Sequence, residues 1–209
     1  MDPEVSAKDV VARSCAQALS YFKRSYYEMT SVDVNRLQEL SGPILARKEE
    51  IVRDIVEALL RDPDASKHIQ EHDPTGEDLR RALGKMIDLL LLGSYDTGHC
   101  FELAKESLLF VRIGFPLVFV LSRLAVIIAR EVLRRAPSRG SGAIVGKGLL
   151  IRALHWNLIV LIISYESVMR RVYEKFLFGR VLGVNEKTYK RLEEIVLKEF
   201  FKELSGEAE

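Results

Sequence analysis

The chain has 209 residues, 48% hydrophobic and 29% charged, with 31 lysines and arginines against 30 aspartates and glutamates and a formal net charge of +1. That balance gives no global pull toward nucleic acid or anionic lipid, and the length suffices for one domain with a full core. Only two cysteines occur, Cys15 and Cys100, far apart and without paired spacing, which rules out a disulfide framework and a cysteine zinc site.

Nearly every segment reads as helix, because strand alternation never persists and prolines and glycines cluster at a few sites. The acidic start, Met1 to Val5, has no apolar stretch behind it, so the expectation is an intracellular, cytoplasmic protein. A first helix is predicted over Ala7 to Met29. Thr30 followed by Asp33 resembles a capping box and opens a second, Val32 to Leu40. Pro43 stands where a helix could begin and leads into Ile44 to Leu60, with Ile44, Ile51, Ile55 and Leu59 on one face. Arg61 to Gly76 is polar and interrupted by Pro63 and Pro74. Further helices are predicted over Asp78 to Leu92, Cys100 to Arg112 and Pro116 to Arg135. Pro137, Gly140, Gly142, Gly146 and Gly148 mark a loop, before the longest helix, Leu149 to Phe178. Asn185 can cap a last amphipathic helix whose stripe is Tyr189, Leu192, Val196, Phe200 and Leu204. The fold class is all-α.

Two segments are apolar enough to raise the question of a membrane. Ile113 to Ala129 is shorter than the ~20 apolar residues of a spanning helix and contains Arg123. Gly148 to Met169 contains Arg152, His155, Asn157 and Glu166. Both read as buried helices of a soluble fold, without a membrane span. Leu117 to Ile128 and Leu158 to Ile163 are apolar nearly all round, and in a small protein a second copy buries such surfaces most easily. A homodimer through these last two long core helices is therefore expected.

Motifs for chemistry are sparse. His68-Ile69-Gln70-Glu71-His72 matches the H-x-x-E-H pattern of a zinc peptidase group. Its surroundings are polar and bounded by Pro63 and Pro74, so it reads as an exposed polar turn, and neither a metal site nor a metallohydrolase is expected. Gly142 to Gly148 superficially resembles a phosphate-binding loop. It is one residue short, has Gly148 where a magnesium-binding hydroxyl belongs, and follows a helix rather than a strand. It reads as an interhelical loop with a solvated basic rim of Arg134, Arg135, Arg139 and Lys147. His99 and His155 are isolated, and no catalytic residues are proposed.

The order of several short motifs resembles the globin domain of globin-coupled sensors and, more distantly, the protoglobins. The likeness runs from Met29-Thr-Ser-Val-Asp33 to Pro43, through Ile51 to Leu60, to Gly93-Ser-Tyr95-Asp96 and Phe110-Val-Arg-Ile113-Gly114. It ends at Leu154-His-Trp-Asn157 and Tyr165-Glu166, covering about residues 29 to 170. The resemblance implies an N-terminal helical extension over 1–28, a sensor-globin-like domain over 29–178 and a C-terminal amphipathic helix over 179–209. The chain departs from the family at two positions. The family's haem-binding histidine falls on Phe110, whose ring has no lone pair for iron, and its distal tyrosine falls near Leu60.

The resemblance so modified implies a non-haem regulatory protein. Its vacated haem pocket would be lined by Leu60, Met86, Leu90, Phe110, Ile113 and Leu117, and it would be filled by side chains or open to an apolar small molecule such as a fatty acid. No cofactor is expected, and the downstream protein partner is unknown. The alternative is a haem-binding, oxygen- or gas-sensing globin with a substitute ligand, His155 first and His99 second.

Overall fold

The computed structural model describes residues 7–25, 28–113, 115, 119, 123–136 and 143–181. Among them are eight helices and no strand: α1 (Ala7–Ser25), α2 (Ser31–Leu45), α3 (Lys48–Leu60), α4 (Pro63–His72), α5 (Glu77–Leu92), α6 (Thr97–Arg112), α7 (Ala125–Arg135) and α8 (Ala143–Val181). The expected C-terminal amphipathic helix, Leu117 and Arg139 lie outside the described residues.

Helix α1 buries Val11, Cys15, Ala18 and Phe22, a stripe at helical spacing. It packs against α6 and α8, which are also each other's main neighbours, so the first helix is part of the core. Phe22 stacks on Trp156 of α8 with ring centres 4.7 Å apart. Helix α2 starts at the capping box expected from the sequence: the Thr30 hydroxyl accepts from Asp33 N while the Asp33 carboxylate accepts from Thr30 N. Arg152 of α8 pairs with that same carboxylate and ties the cap to the longest helix. Lys48 of α3 reaches Asp88 of α5 at 2.8 Å.

Three local readings are corrected. Helix α2 does not stop before Pro43 but runs through it to Leu45, and α3 begins at Lys48. Leu37, Ser41 and Ile44 form one buried stripe across the proline, so tertiary burial outweighs the missing N–H. Residues 63–72 are a regular helix rather than a turn. The Asp62 carboxylate accepts from Asp64 N and Ala65 N, Pro63 occupies the first turn, and Ala65 and Ile69 are buried. Helix α8 begins at Ala143, so Gly146 and Gly148 are helical. A Cβ on Gly146 would lie 2.9 Å from the Leu40 side chain, so this glycine permits close helix packing rather than marking a loop.

The basic rim also proves to be partly internal. Arg135, with a side chain only 4% exposed, bonds Glu131 at 2.7 Å and Asp54 of α3 at 2.5 Å. Arg134 reaches the same two carboxylates at 2.8 and 3.0 Å. Among the described residues one stretch, Val145–Arg170 of α8, is long and apolar enough to cross a membrane, and half of its most apolar window is buried inside the protein.

Candidate functional site

A partly open cavity of about 170 Å³ lies among α5, α6, α7 and α8. Helix α5 contributes Leu83, Met86, Ile87 and Leu90, at spacings that place them along one side, and α6 contributes Leu103. Arg123 and Leu124 have π-helical geometry immediately before α7. Leu124 faces the cavity together with Ala125, Ile128 and Ala129, whereas Arg123 pairs with Asp62 at the start of α4. Helix α8 closes the remaining side with Leu154, His155, Asn157, Leu158 and Leu161.

Among the described residues, only His155 and Asn157 bring polar side chains to this wall. Asn157 is buried, and its amide is already engaged. Its Nδ2 donates to Ala153 O at 2.8 Å and to Tyr95 Oη at 3.4 Å, which leaves Oδ1 facing His99 Nε2 at 3.2 Å. His99 Nε2 is thus the donor, and in the neutral ring Nδ1 carries no proton. Nδ1 has no hydrogen-bond partner and abuts Gly93, where a Cβ would lie 1.8 Å away. Burial pushes the imidazole below its ordinary pKa, against the opposing effects of the Asn157 hydrogen bond and the Asp96 charge.

The backbone holds this cluster firmly. Asp96 accepts from His99 N at 2.9 Å and caps α6. Tyr95 sits in the left-handed region, with φ 58°, and its hydroxyl donates to Leu90 O at 2.5 Å. Its ring stacks on His99 at 4.5 Å and meets Trp156 edge-on at 5.0 Å. Burial pushes the Tyr95 phenol above its ordinary range, so it stays a neutral donor. The Gly93–Asp96 turn and the Leu154–Asn157 segment, separate motifs in the sequence, therefore meet at His99.

The six residues expected to line a pocket separate. Met86 and Leu90 are on the cavity wall. Leu60 is 43% exposed at the end of α3, while Phe110 and Ile113 are fully buried away from the cavity. Phe110 stacks on Phe115 at 6.2 Å, and Phe115 O accepts a 2.8 Å bond from Tyr165 of α8. His155 is half-buried on the wall, whereas His99 lies behind it, screened by Asn157 and Gly93. The α7 wall residues lie within the apolar segment that the sequence reading assigns to a buried helix covered by a second copy; their small-and-branched pattern, Ala125, Ile128 and Ala129, is the available signal.

Cavity size is the test for haem. An apolar cavity of roughly 150 Å³ accommodates benzene or xenon, and the volume here is about 170 Å³. Haem is a macrocycle several times larger than benzene, so the cavity among the described residues would have to open further to hold it. Sequence reasoning also misses the meeting of the two cysteines. Cys15 of α1 and Cys100 of α6 are fully buried, and their thiols influence each other: the neighbouring thiol holds Cys15 down and, with burial, pushes Cys100 up. Comparisons of the chain with protein-family models, curated proteins and solved structures find no match in any of the three.

Proposed function

We propose that the chain is a non-haem regulatory protein of sensor-globin type, dimeric through α7 and α8, whose cavity takes a small apolar molecule. The observation that carries this reading is the apolar cavity of about 170 Å³ between α5 and the last two helices. Its size favours a single aromatic ring or a short aliphatic group over a fatty acid. With the Asn157 amide engaged, affinity comes mainly from apolar contact. Within the sensor-globin resemblance, the Phe110 and Leu60 departures favour a protein without haem, and two of the quoted motifs meet at His99.

The cavity and the outer face of α8 share residues. Half-exposed His155 and Leu158 belong to the cavity wall and, with Ile151 and Ile162, form a stripe at helical spacing. A ligand that repacks Leu158 therefore alters a face available to a second copy. Regulation follows if the two states of that face differ in ligand affinity.

Thermal unfolding with benzene or toluene tests the reading. At ten times Kd a ligand specific for the folded state adds about 1.4 kcal/mol, a rise in Tm of roughly 3–6 °C for a chain of this size. Ala129→Phe places a ring in the cavity and is expected to abolish the rise. An equal rise in both proteins, or none in the wild type, rejects ligand binding here. Haem through His155 is the second reading, favoured by that side chain's place on the wall. Haemin titration is expected to give no stoichiometric Soret band; a band lost in His155→Ala would establish the haem reading instead.

A further inference from the structure

We infer that His68, Glu71 and His72 of α4 form a binding site for a first-row divalent cation of the zinc type. The proposal is independent of the cavity. Once residues 63–72 are seen to be helical, the spacing acquires a geometry that an exposed turn would lack. Positions i and i+4 put the two imidazoles one above the other on adjacent turns, and i+3 brings the carboxylate beside them. One ligand atom from each residue lies within 4.8 Å of the other two. Bonds of about 2.0–2.2 Å in a tetrahedral site require ligand atoms roughly 3.3–3.6 Å apart. Glu71 and His72 are exposed and free to close that gap by rotamer changes, while half-buried His68 supplies the fixed member.

The donor chemistry selects the cation. Two imidazole nitrogens and one carboxylate suit zinc and its first-row neighbours better than calcium or magnesium, which favour all-oxygen sets. Three protein ligands leave at least one position for water, the pattern of an open rather than a closed structural site. The site occupies the last turns of α4, where the carbonyl end of the helix dipole favours a cation. His68 also meets the Phe115 ring edge-on at 6.1 Å, and Phe115 O is the acceptor for Tyr165 of α8. A bound ion would therefore brace the last turns of a ten-residue helix, short for independent stability, whose His68 ring already rests on the core.

The test uses the full chain, stripped with a chelator, titrated with Zn²⁺ by calorimetry and with Co²⁺ in the visible spectrum. One equivalent is expected to bind in the micromolar range, giving d–d bands without a thiolate charge-transfer band. Losing a ligand costs at least the roughly tenfold in affinity that loss of a ligand's own hydrogen-bond partner costs. Glu71→Gln and His72→Ala, both at exposed positions, are each expected to weaken binding at least that much. They carry the test because His68→Ala also removes a ring packed on Phe115. Equal affinity in wild type and both variants overturns the site, as does absence of saturable binding with Zn²⁺ in clear excess over the protein. A thiolate band overturns it too, by assigning the ion to Cys15 and Cys100.

Discussion

His99 has one ring nitrogen hydrogen-bonded to Asn157 and the other pressed toward Gly93, so protonation would create a buried cation with no acceptor waiting at Nδ1. Asp96 offers opposing charge, but burial dominates and the folded pKa lies below the ordinary value. The unfolded ring takes up its proton near pH 6.5, before the folded ring does. Stability is therefore complete above about pH 6.5 and falls as the pH drops toward the folded pKa, with a slope of at most about 1.4 kcal/mol per pH unit. Urea unfolding at about pH 7.5, 6.5 and 5.5 is expected to show this loss in the wild type and not in His99→Gln. Identical slopes would mean that the folded ring titrates normally. Little of this cluster was legible beforehand: His99 and Asn157 are 58 residues apart, and nothing in either local pattern announces their contact. The same holds for Cys15 and Cys100, which two different helix faces bring together.

Arg135 shows the corresponding effect between elements. Its guanidinium joins α7 to Asp54 of α3 and is itself buried with Glu131. Burial pushes the Glu131 carboxyl up, yet hydrogen bonds from Arg135 and Arg130 and the nearby Arg134 charge hold it below its ordinary value. Arg135→Leu leaves that carboxylate buried with weaker compensation and is expected to cost about 2–3 kcal/mol, measured by denaturant unfolding at neutral pH. Arg130→Leu, removing a side chain 61% exposed, serves as the comparison and is expected to cost much less. Equal losses would show that the α3–α7 link is not held by this pair. Helix existence itself was readable from periodicity, as Val11, Cys15, Ala18 and Phe22 illustrate. Helix ends were harder where tertiary contact overrode local signals. Ile44 carries α2 through Pro43, and Leu40 explains Gly146 by close packing rather than by a turn. Helix α4 was hidden because only Ala65 and Ile69 bury its inner side, too few to stand out from the polar residues around them.

At the scale of the whole molecule, the last helices leave apolar surface outside the core. Val126 is 59% exposed on α7, and on α8 Ile151 is 54% exposed beside the half-buried His155, Leu158 and Ile162. Single exposed apolar residues are ordinary, but a stripe continuous with a cavity wall would give the proposed second copy both area and a route to the proposed ligand. Sedimentation of the wild type is expected to show a concentration-dependent dimer. Ile151→Glu, which would force a carboxylate into a dry interface, is expected to shift it to monomer without unfolding. Linkage supplies the sharper test: if benzene changes the dimer dissociation constant by some factor, dimerisation must change benzene affinity by the same factor. Binding measured on wild type and on Ile151→Glu should then differ, although residue 151 lies outside the cavity wall. Equal affinities alongside a genuine dimer would leave the cavity and the interface as separate features. A wild type that sediments as a monomer throughout would remove the dimeric mechanism altogether.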